Sequence, residues 1–305
     1  MKIKIGTRGS KLALWQANFI ADKIRKNNPA LEVEIVKVQT QGDKILDAPL
    51  AKIGGKGLFT KELELQLLAG KINLAVHSLK DVPTELDEKF KIAAITRRQN
   101  PFDAFVSNNF KTFDELPEGA VIGTSSLRRA AQILILRPDL KIKNLRGNVD
   151  TRLKKLDAGE FDAEILATAG LERLGYSSRI NHTLTKIIPA AGQGALAIEI
   201  CADDFETFDA INFLNDAETC AAVKVERDFL QVVGGGCQIP VGIFAQVDGE
   251  KISARAIISS LDGKNFVQDS AVGLLKNLED FGKDFAEKLL AEGGREILHE
   301  LACSL

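Results

Sequence analysis

Apolar and polar positions change period several times along the chain, and each change marks an element. The opening KIKIG alternates like a strand, breaks at Gly6 to Ser10, and continues with Leu12, Trp15, Phe19, Ile20 and Ile24 at helical spacing. A second alternating run, Leu31 to Gln39, leads into the glycine-rich DAPLAKIGGKGLF, after which a helix opens near Thr60 and closes at Gly70. Ile72 to Ser78 reads as another strand and ends at Leu79-Lys80-Asp81-Val82-Pro83. Between Pro101 and Asp114 the pattern changes character, and from Ala120 the strand-loop-helix logic restarts as AVIGTSSLRRAAQILILRPDL.

IGTRGSKLALWQA at Ile5 and IGTSSLRRAAQIL at Ile122 share I-G-T, a serine cap and an apolar helix, a weak internal echo that suggests two α/β domains of similar build. The unit recurs as KIKNLRGNVDTRLKKL, then FDAEILATAGLERLG gives a further strand and helix start, and ALAIEI precedes an acidic helical region. Beyond Cys237 the period becomes two. Three antiparallel strands are expected there, with Asp248-Gly249 and Asp262-Gly263 as hairpin signals. A closing helix carries Leu278, Phe281, Phe285 and Leu289 on one face, so this end reads as a small α+β domain.

A length of 305 residues suits two or three domains at roughly 150 residues each. No apolar run approaches the ~20 residues of a membrane span, and the N-terminus begins with a charged strand pattern rather than a leader, so a cytoplasmic location is expected. The net charge of −2 argues against nucleic acid or an acidic membrane as the main partner. That average hides an asymmetry: of the fourteen arginines, nine lie between Arg97 and Arg179, where an anion would be held. Four cysteines without CxxC spacing and three histidines support neither a zinc site nor a disulfide framework. No metal is expected, and the absence of a large exposed apolar repeat favours a monomer.

Each α/β unit sets polar groups at a strand's carboxyl end and a helix N-terminus, where free N–H groups favour an anion. Arg128 and Arg129 follow the Thr124-Ser125-Ser126 cap, Arg146 and Arg152 flank Gly147-Asn148, and Arg8 sits beside Ser10. Three such loops imply a polyanion held by arginine forks, although any one pair alone is as easily a solvated face. GGKG at Gly54 to Gly57 lacks the spacing of a phosphate loop, which leaves a lid or a plain loop. Asp81 is either a turn-forming cap or a carboxylate able to stabilise a cation or move a proton, and His77 reads as a structural imidazole. Cys220 keeps helical phase with Val223, Cys201 ends a strand and Cys303 lies in the tail. Cys237, after three glycines, is the accessible loop thiol, with packing an equal alternative.

Taken in order, VHSLKDVP, IGTSSLRRAAQI, LRGNVDTRL, AAGQGALAIE and GGGCQIPVG resemble the porphobilinogen deaminase family, also called hydroxymethylbilane synthases, from Ile5 to about Leu298. The resemblance implies a transferase of tetrapyrrole biosynthesis that joins four porphobilinogen molecules, releases ammonia each time and yields hydroxymethylbilane. It implies a dipyrromethane cofactor attached by a thioether to the loop cysteine, here Cys237, and places the essential carboxylate at Asp81. Ser78, Lys80, Asp81, Thr124, Ser125, Ser126, Arg128, Arg129, Arg146 and Gly147 become expected cofactor contacts. Arg8, Ser10, Lys56, Arg146, Arg152, Arg173 and Gln193 become expected substrate contacts.

The implied fold is α/β: two periplasmic-binding-protein-like domains with a cleft between them, plus a small α+β C-terminal domain. Residues 1–96 with 195–215 would form domain 1, 97–194 domain 2 and 216–305 domain 3. One departure is Gly234, where many relatives carry a glutamate. A binding module without chemistry and a cysteine-nucleophile enzyme are the rivals. The first needs neither tethering thiol nor Asp81, and the second wants a base that the histidines do not supply.

Overall fold

The computed structural model describes residues 2–40, 60–234 and 239–304. The chain divides into two units, Met1–Gln99 with Gly194–Cys220, and Asn100–Gln193 with Ala221–Leu305.

In the first unit the strands are β1 (Lys2–Arg8), β2 (Glu32–Val38), β3 (Leu74–Ser78), β4 (Phe90–Ile95) and the returning β10 (Leu196–Cys201). They lie in the order β2-β1-β3-β10-β4. The first three are parallel neighbours, which require crossover connections, and β10 runs antiparallel between β3 and β4. Helix α1 (Lys11–Asn27) makes the first crossover and α2 (Lys61–Leu68) precedes β3. On α1 the positions Ala17, Ile20 and Ile24 recur at helical spacing and bury against Ile3, Ile5, Leu74, Val76, Ile198 and Ile200. Leu63 and Leu67 of α2 cover the opposite face with Ile72, Ala75 and Phe90. Each buried Leu or Ile stabilises the fold by about 1.5–3 kcal/mol, and covering both faces is what a parallel sheet needs.

The second unit repeats the plan. Strands β5 (Asp103–Val106), β6 (Val121–Gly123), β7 (Lys141–Lys143), β8 (Ala163–Ala167) and β9 (His182–Leu184) lie in the order β7-β6-β8-β5-β9. Again three parallel strands meet an antiparallel fourth. The two I-G-T stretches fall on β1 and β6, which hold the same second place in their sheets, so the internal echo is structural. Helix α3 (Leu127–Leu136) buries Ile133 on the face of Ile122, Ala163 and Ile165. Helix α4 (Val149–Asp157) buries Leu153 and Leu156 on the face of Ala104, Val106 and Leu166, where α5 (Thr168–Arg173) adds Leu171.

The same unit contains the expected antiparallel sheet: β11 (Val241–Asp248), β12 (Lys251–Ser259) and β13 (Phe266–Leu274). Asp248 pairs with Lys251 across a two-residue turn whose Gly249 has φ 59°, the left-handed conformation such hairpins need. Alternate residues Ile243, Ala245, Ile252, Ala254 and Ile258 pack on α7 (Ala217–Val233) and α8 (Leu278–Leu289), where Phe229 and Phe285 meet at 5.6 Å between ring centroids. The other face sets Phe244 and Ile257 against Ile188 and Phe102. Glu226 of α7, fully buried, accepts hydrogen bonds from the Gly192 and Ala245 amides at 2.7 and 2.8 Å. The single closing helix expected from the sequence is two: α8 runs into a wide turn over Leu290–Gly294, where Gly293 has φ 116°, and α9 (Arg295–Ser304) follows. Cys303 is therefore helical and exposed rather than part of a frayed tail. A further helix, α6 (Phe205–Ile211), follows β10.

Candidate active site

In the first unit the candidate residues gather at the carboxyl ends of neighbouring parallel strands. Arg8 is the last residue of β1, and Ser10 caps α1 by accepting a hydrogen bond from the Ala13 amide at 3.2 Å. Ser78 ends β3, and its hydroxyl accepts from Gln16 Nε2 at 2.8 Å. A single 3-10 turn, Leu79–Asp81, follows. Leu79 anchors it by burying its side chain and donating its amide to the Ala195 carbonyl at 3.1 Å. Val82 is extended, as expected ahead of Pro83, so the turn stops there. Lys80 is half-buried and Asp81 exposed, and the Asp81 carboxylate has no hydrogen bond or ion pair among the described residues. His77, one residue before Ser78, is buried with Nε2 2.8 Å from Glu199 Oε2, the structural role expected of it.

In the second unit the β6–α3 turn is built by its own hydroxyls. Thr124 Oγ1 accepts from the Ser126 amide at 3.2 Å, and Ser126 Oγ caps α3 by accepting from the Arg129 amide at 3.4 Å, with Ser125 half-buried between them. Neither α1 nor α3 carries an acidic residue in its first turn, where the helix dipole favours an anion. For Arg128 and Arg129 that anion comes from within the chain. Both are buried, and their guanidinium groups lie 2.8 and 2.7 Å from the two carboxylate oxygens of Asp103, the first residue of β5. Arg128 also donates to the Ile188 carbonyl at 2.7 Å and Arg129 to the Ile165 carbonyl at 2.9 Å, while the Nε of Arg129 is buried without a partner among the described residues. Gln193, buried, donates to Asp103 at 2.9 Å and to the Pro101 carbonyl at 2.7 Å. Burial alone would raise the Asp103 pKa, but the two arginine charges and the hydrogen bonds from Arg129 and Gln193 hold it far below the ordinary carboxylate range.

The β7–α4 turn carries the second arginine pair. Gly147 has φ 114°, and a Cβ there would sit 2.8 Å from Thr151, so only glycine fits. Its carbonyl accepts from Arg152 Nε at 2.8 Å, which lays Arg152 back over the turn beside Arg146. Burial, with the nearby charges of Arg129 and Arg146, lowers the Arg152 pKa to about 10. Arg173, at the end of α5, is buried and lowered to about 10 by desolvation. Two expected residues, Lys56 and Cys237, lie outside the described residues.

Two buried carboxylates here are absent from the sequence reading. Asp103 opens a four-residue strand too short to show a period. Glu164 left a visible sign, one acid inside the apolar run FDAEILA. Among the described residues no cluster of His, Cys, Asp and Glu could hold a metal, and no helix is long and apolar enough to cross a membrane.

Residues 3–209 match the family model described as porphobilinogen deaminase, dipyromethane cofactor binding domain, and residues 220–291 match the porphobilinogen deaminase C-terminal domain. A porphobilinogen deaminase of Geobacter sulfurreducens is 49% identical over 302 residues, covering 98% of this chain and 95% of its own. One from Campylobacter hominis is 48% identical over 301 residues, covering 97% of each chain. Among solved structures, a methionine binding protein covers 70% of this chain and 89% of its own at 17% identity, with a TM-score of 0.46. Two models laid end to end along most of the sequence, with relatives at about half identity over nearly their whole length, place the chain in the porphobilinogen deaminase family.

Proposed function

We infer that the chain catalyses its family's reaction, joining four porphobilinogen molecules head to tail into hydroxymethylbilane with loss of ammonia at each addition, and that Asp81 is its catalytic carboxylate. The observation that carries the role of Asp81 is its setting. The turn around it is tied down by Leu79 and Ser78, yet its own carboxylate is exposed and without a partner among the described residues. A carboxylate so placed can accept hydrogen bonds from pyrrole N–H groups and stand beside the positive charge that grows as ammonia departs. It can also take the proton that the ring carbon must lose to regain aromaticity.

The dipyrromethane cofactor, when bound, supplies the pyrrole carbon to which the first substrate is joined. The chain suits such a carboxylate-bearing group: first turns without acids on α1 and α3, and a buried Arg129 Nε with no partner among the described residues. We assign its thioether to Cys237. Its carboxylates fall to Thr124, Ser125, Ser126, Arg128 and Arg129, with Ser78, Lys80, Arg146 and Gly147. Substrate carboxylates fall to Arg8, Ser10, Lys56, Arg146, Arg152 and Arg173, with Gln193 acting through Asp103. The proposal includes three domains, 1–96 with 195–215, 97–194 and 216–305, and a monomer in the cytoplasm. The free thiols of Cys201, Cys220 and Cys303 support a reducing compartment.

The test is Asp81→Asn, which keeps shape and removes charge. With cofactor attachment checked by intact mass, turnover of porphobilinogen should fall by about 100-fold or more. Near-normal turnover rejects the role.

A further inference from the structure

Glu164 is a buried charged side chain that the proposed chemistry leaves unused. It is fully buried in β8, and neither carboxylate oxygen has a hydrogen-bond partner among the described residues. The strand register sets it beside Gly123, the last residue of β6, and Val106 of β5. It therefore lies at the level where β6 gives way to Thr124–Ser126, on the sheet face covered by α4. The charged groups that act on it are Arg152 and Asp157 of α4, Arg179 of the turn after α5, and Arg129 of α3.

Two of those cations are engaged elsewhere. Arg129 is held on Asp103, and Arg179 lies 2.7 Å from Asp157 and donates to Asn108 at 3.0 Å. Arg152 lies on α4, the helix that covers the sheet face of Glu164, and uses its Nε on the Gly147 carbonyl. Burial pushes the Glu164 pKa up to about 7 against the pull of Arg152 and Arg179, so its proton is exchangeable near neutrality.

We propose that Glu164 is a positioning residue for substrate carboxylates: protonated, it leaves Arg152 to an incoming carboxylate, and ionised, it competes with that carboxylate for the same guanidinium. This rests on the reading of Arg152 as a carboxylate anchor. Linkage makes the effect reciprocal: a carboxylate settling on the Arg146–Arg152 turn draws a proton onto Glu164, and a proton on Glu164 tightens carboxylate binding. No covalent step is involved. Solvent supplies the proton, and it returns to solvent when the carboxylate leaves.

The experiment uses the cofactor-loaded protein with porphobilinogen as probe, comparing wild type, Glu164→Gln and Arg152→Gln. In wild type KM should rise about tenfold between roughly pH 6 and pH 8, with kcat following the same profile in wild type and Glu164→Gln. In Glu164→Gln KM should stay flat at its low-pH value. Difference infrared spectra near neutral pH give a readout independent of turnover. Porphobilinogen should strengthen a protonated-carboxyl band in wild type, and Glu164→Gln should lack that change. Glu164→Gln retaining the wild-type pH slope of KM, or showing the same infrared change, overturns the inference while a raised KM in Arg152→Gln leaves the anchor reading standing. An unchanged KM in Arg152→Gln overturns both.

Discussion

Replacing Glu164 by glutamine keeps the shape of the side chain and an unpaired polar end, and removes its proton equilibrium. In the folded chain the carboxyl titrates at about 7, against an ordinary 4.5. Below the lower value it is protonated whether the chain is folded or not, so its titration costs nothing. Between the two values the unfolded chain sheds the proton and the folded chain keeps it, and stability falls by about 1.4 kcal/mol per pH unit. Above the higher value both states are ionised and the loss is complete, at about 3 kcal/mol. Weighting each state by its protonated and ionised forms gives a penalty of about 1 kcal/mol near pH 5 and about 3 kcal/mol near pH 8. Wild type should therefore lose about 2–3 kcal/mol across that interval that Glu164→Gln keeps. Urea unfolding of both proteins at the two pH values isolates the effect, because every other titrating group cancels in the difference. Glu164→Gln should be the more stable protein at the higher pH. If both proteins show the same change between the two pH values, the folded chain does not retain this proton and the reasoning fails.

Asp103 predicts the opposite. Asp103→Asn leaves two buried guanidinium groups without their counter-charge and should cost about 3–5 kcal/mol by urea unfolding. Because the Asp103 pKa is lowered on folding, its contribution is present above the ordinary carboxylate value and lost only as pH falls through the lowered one. The cost should therefore be constant from pH about 5 upward, and a change below ~1 kcal/mol would remove the ion-pair account. Gly147→Ala meets both a left-handed φ and a 2.8 Å approach to Thr151, so the turn must shift. About 1–3 kcal/mol of stability should go, with KM for porphobilinogen rising more than kcat falls, and equal effects on both would place the turn outside substrate binding. Intact mass of the purified protein should exceed the sequence mass by two linked pyrrole units and return to it in Cys237→Ala, and an active but unmodified wild type would end the thioether assignment.

Periodicity and caps were enough for most of the fold. The helical spacing of Ile20 and Ile24, the caps at Ser10 and Ser126, and the Asp248-Gly249 hairpin are each set within a few residues, and such local patterns survive in a linear sequence. β5 and β9 did not show, because strands of three or four residues are too short to leave a measurable period. The candidate site was legible where a turn chemistry marks it: Ser78-Leu79-Lys80-Asp81 before Pro83, and Gly147 between two arginines. The Arg128–Asp103–Arg129 cluster was half legible. The arginines and their need for an anion could be seen, but the anion comes from a strand more than twenty residues earlier, a pairing only the folded sheet reveals.

The place of β10 between β3 and β4 bears on how the chain is made. When residue 99 leaves the ribosome, the strands that will flank β10 are complete, but the strand that must hydrogen-bond to both is about a hundred residues away. At ~5–20 residues per second, those two edges wait roughly 5–20 s before they can be paired. The Leu79 amide waits with them, since its acceptor is the Ala195 carbonyl at the start of the returning strand. The turn that presents Asp81 is thus synthesised about a hundred residues before the strand that fixes it in place.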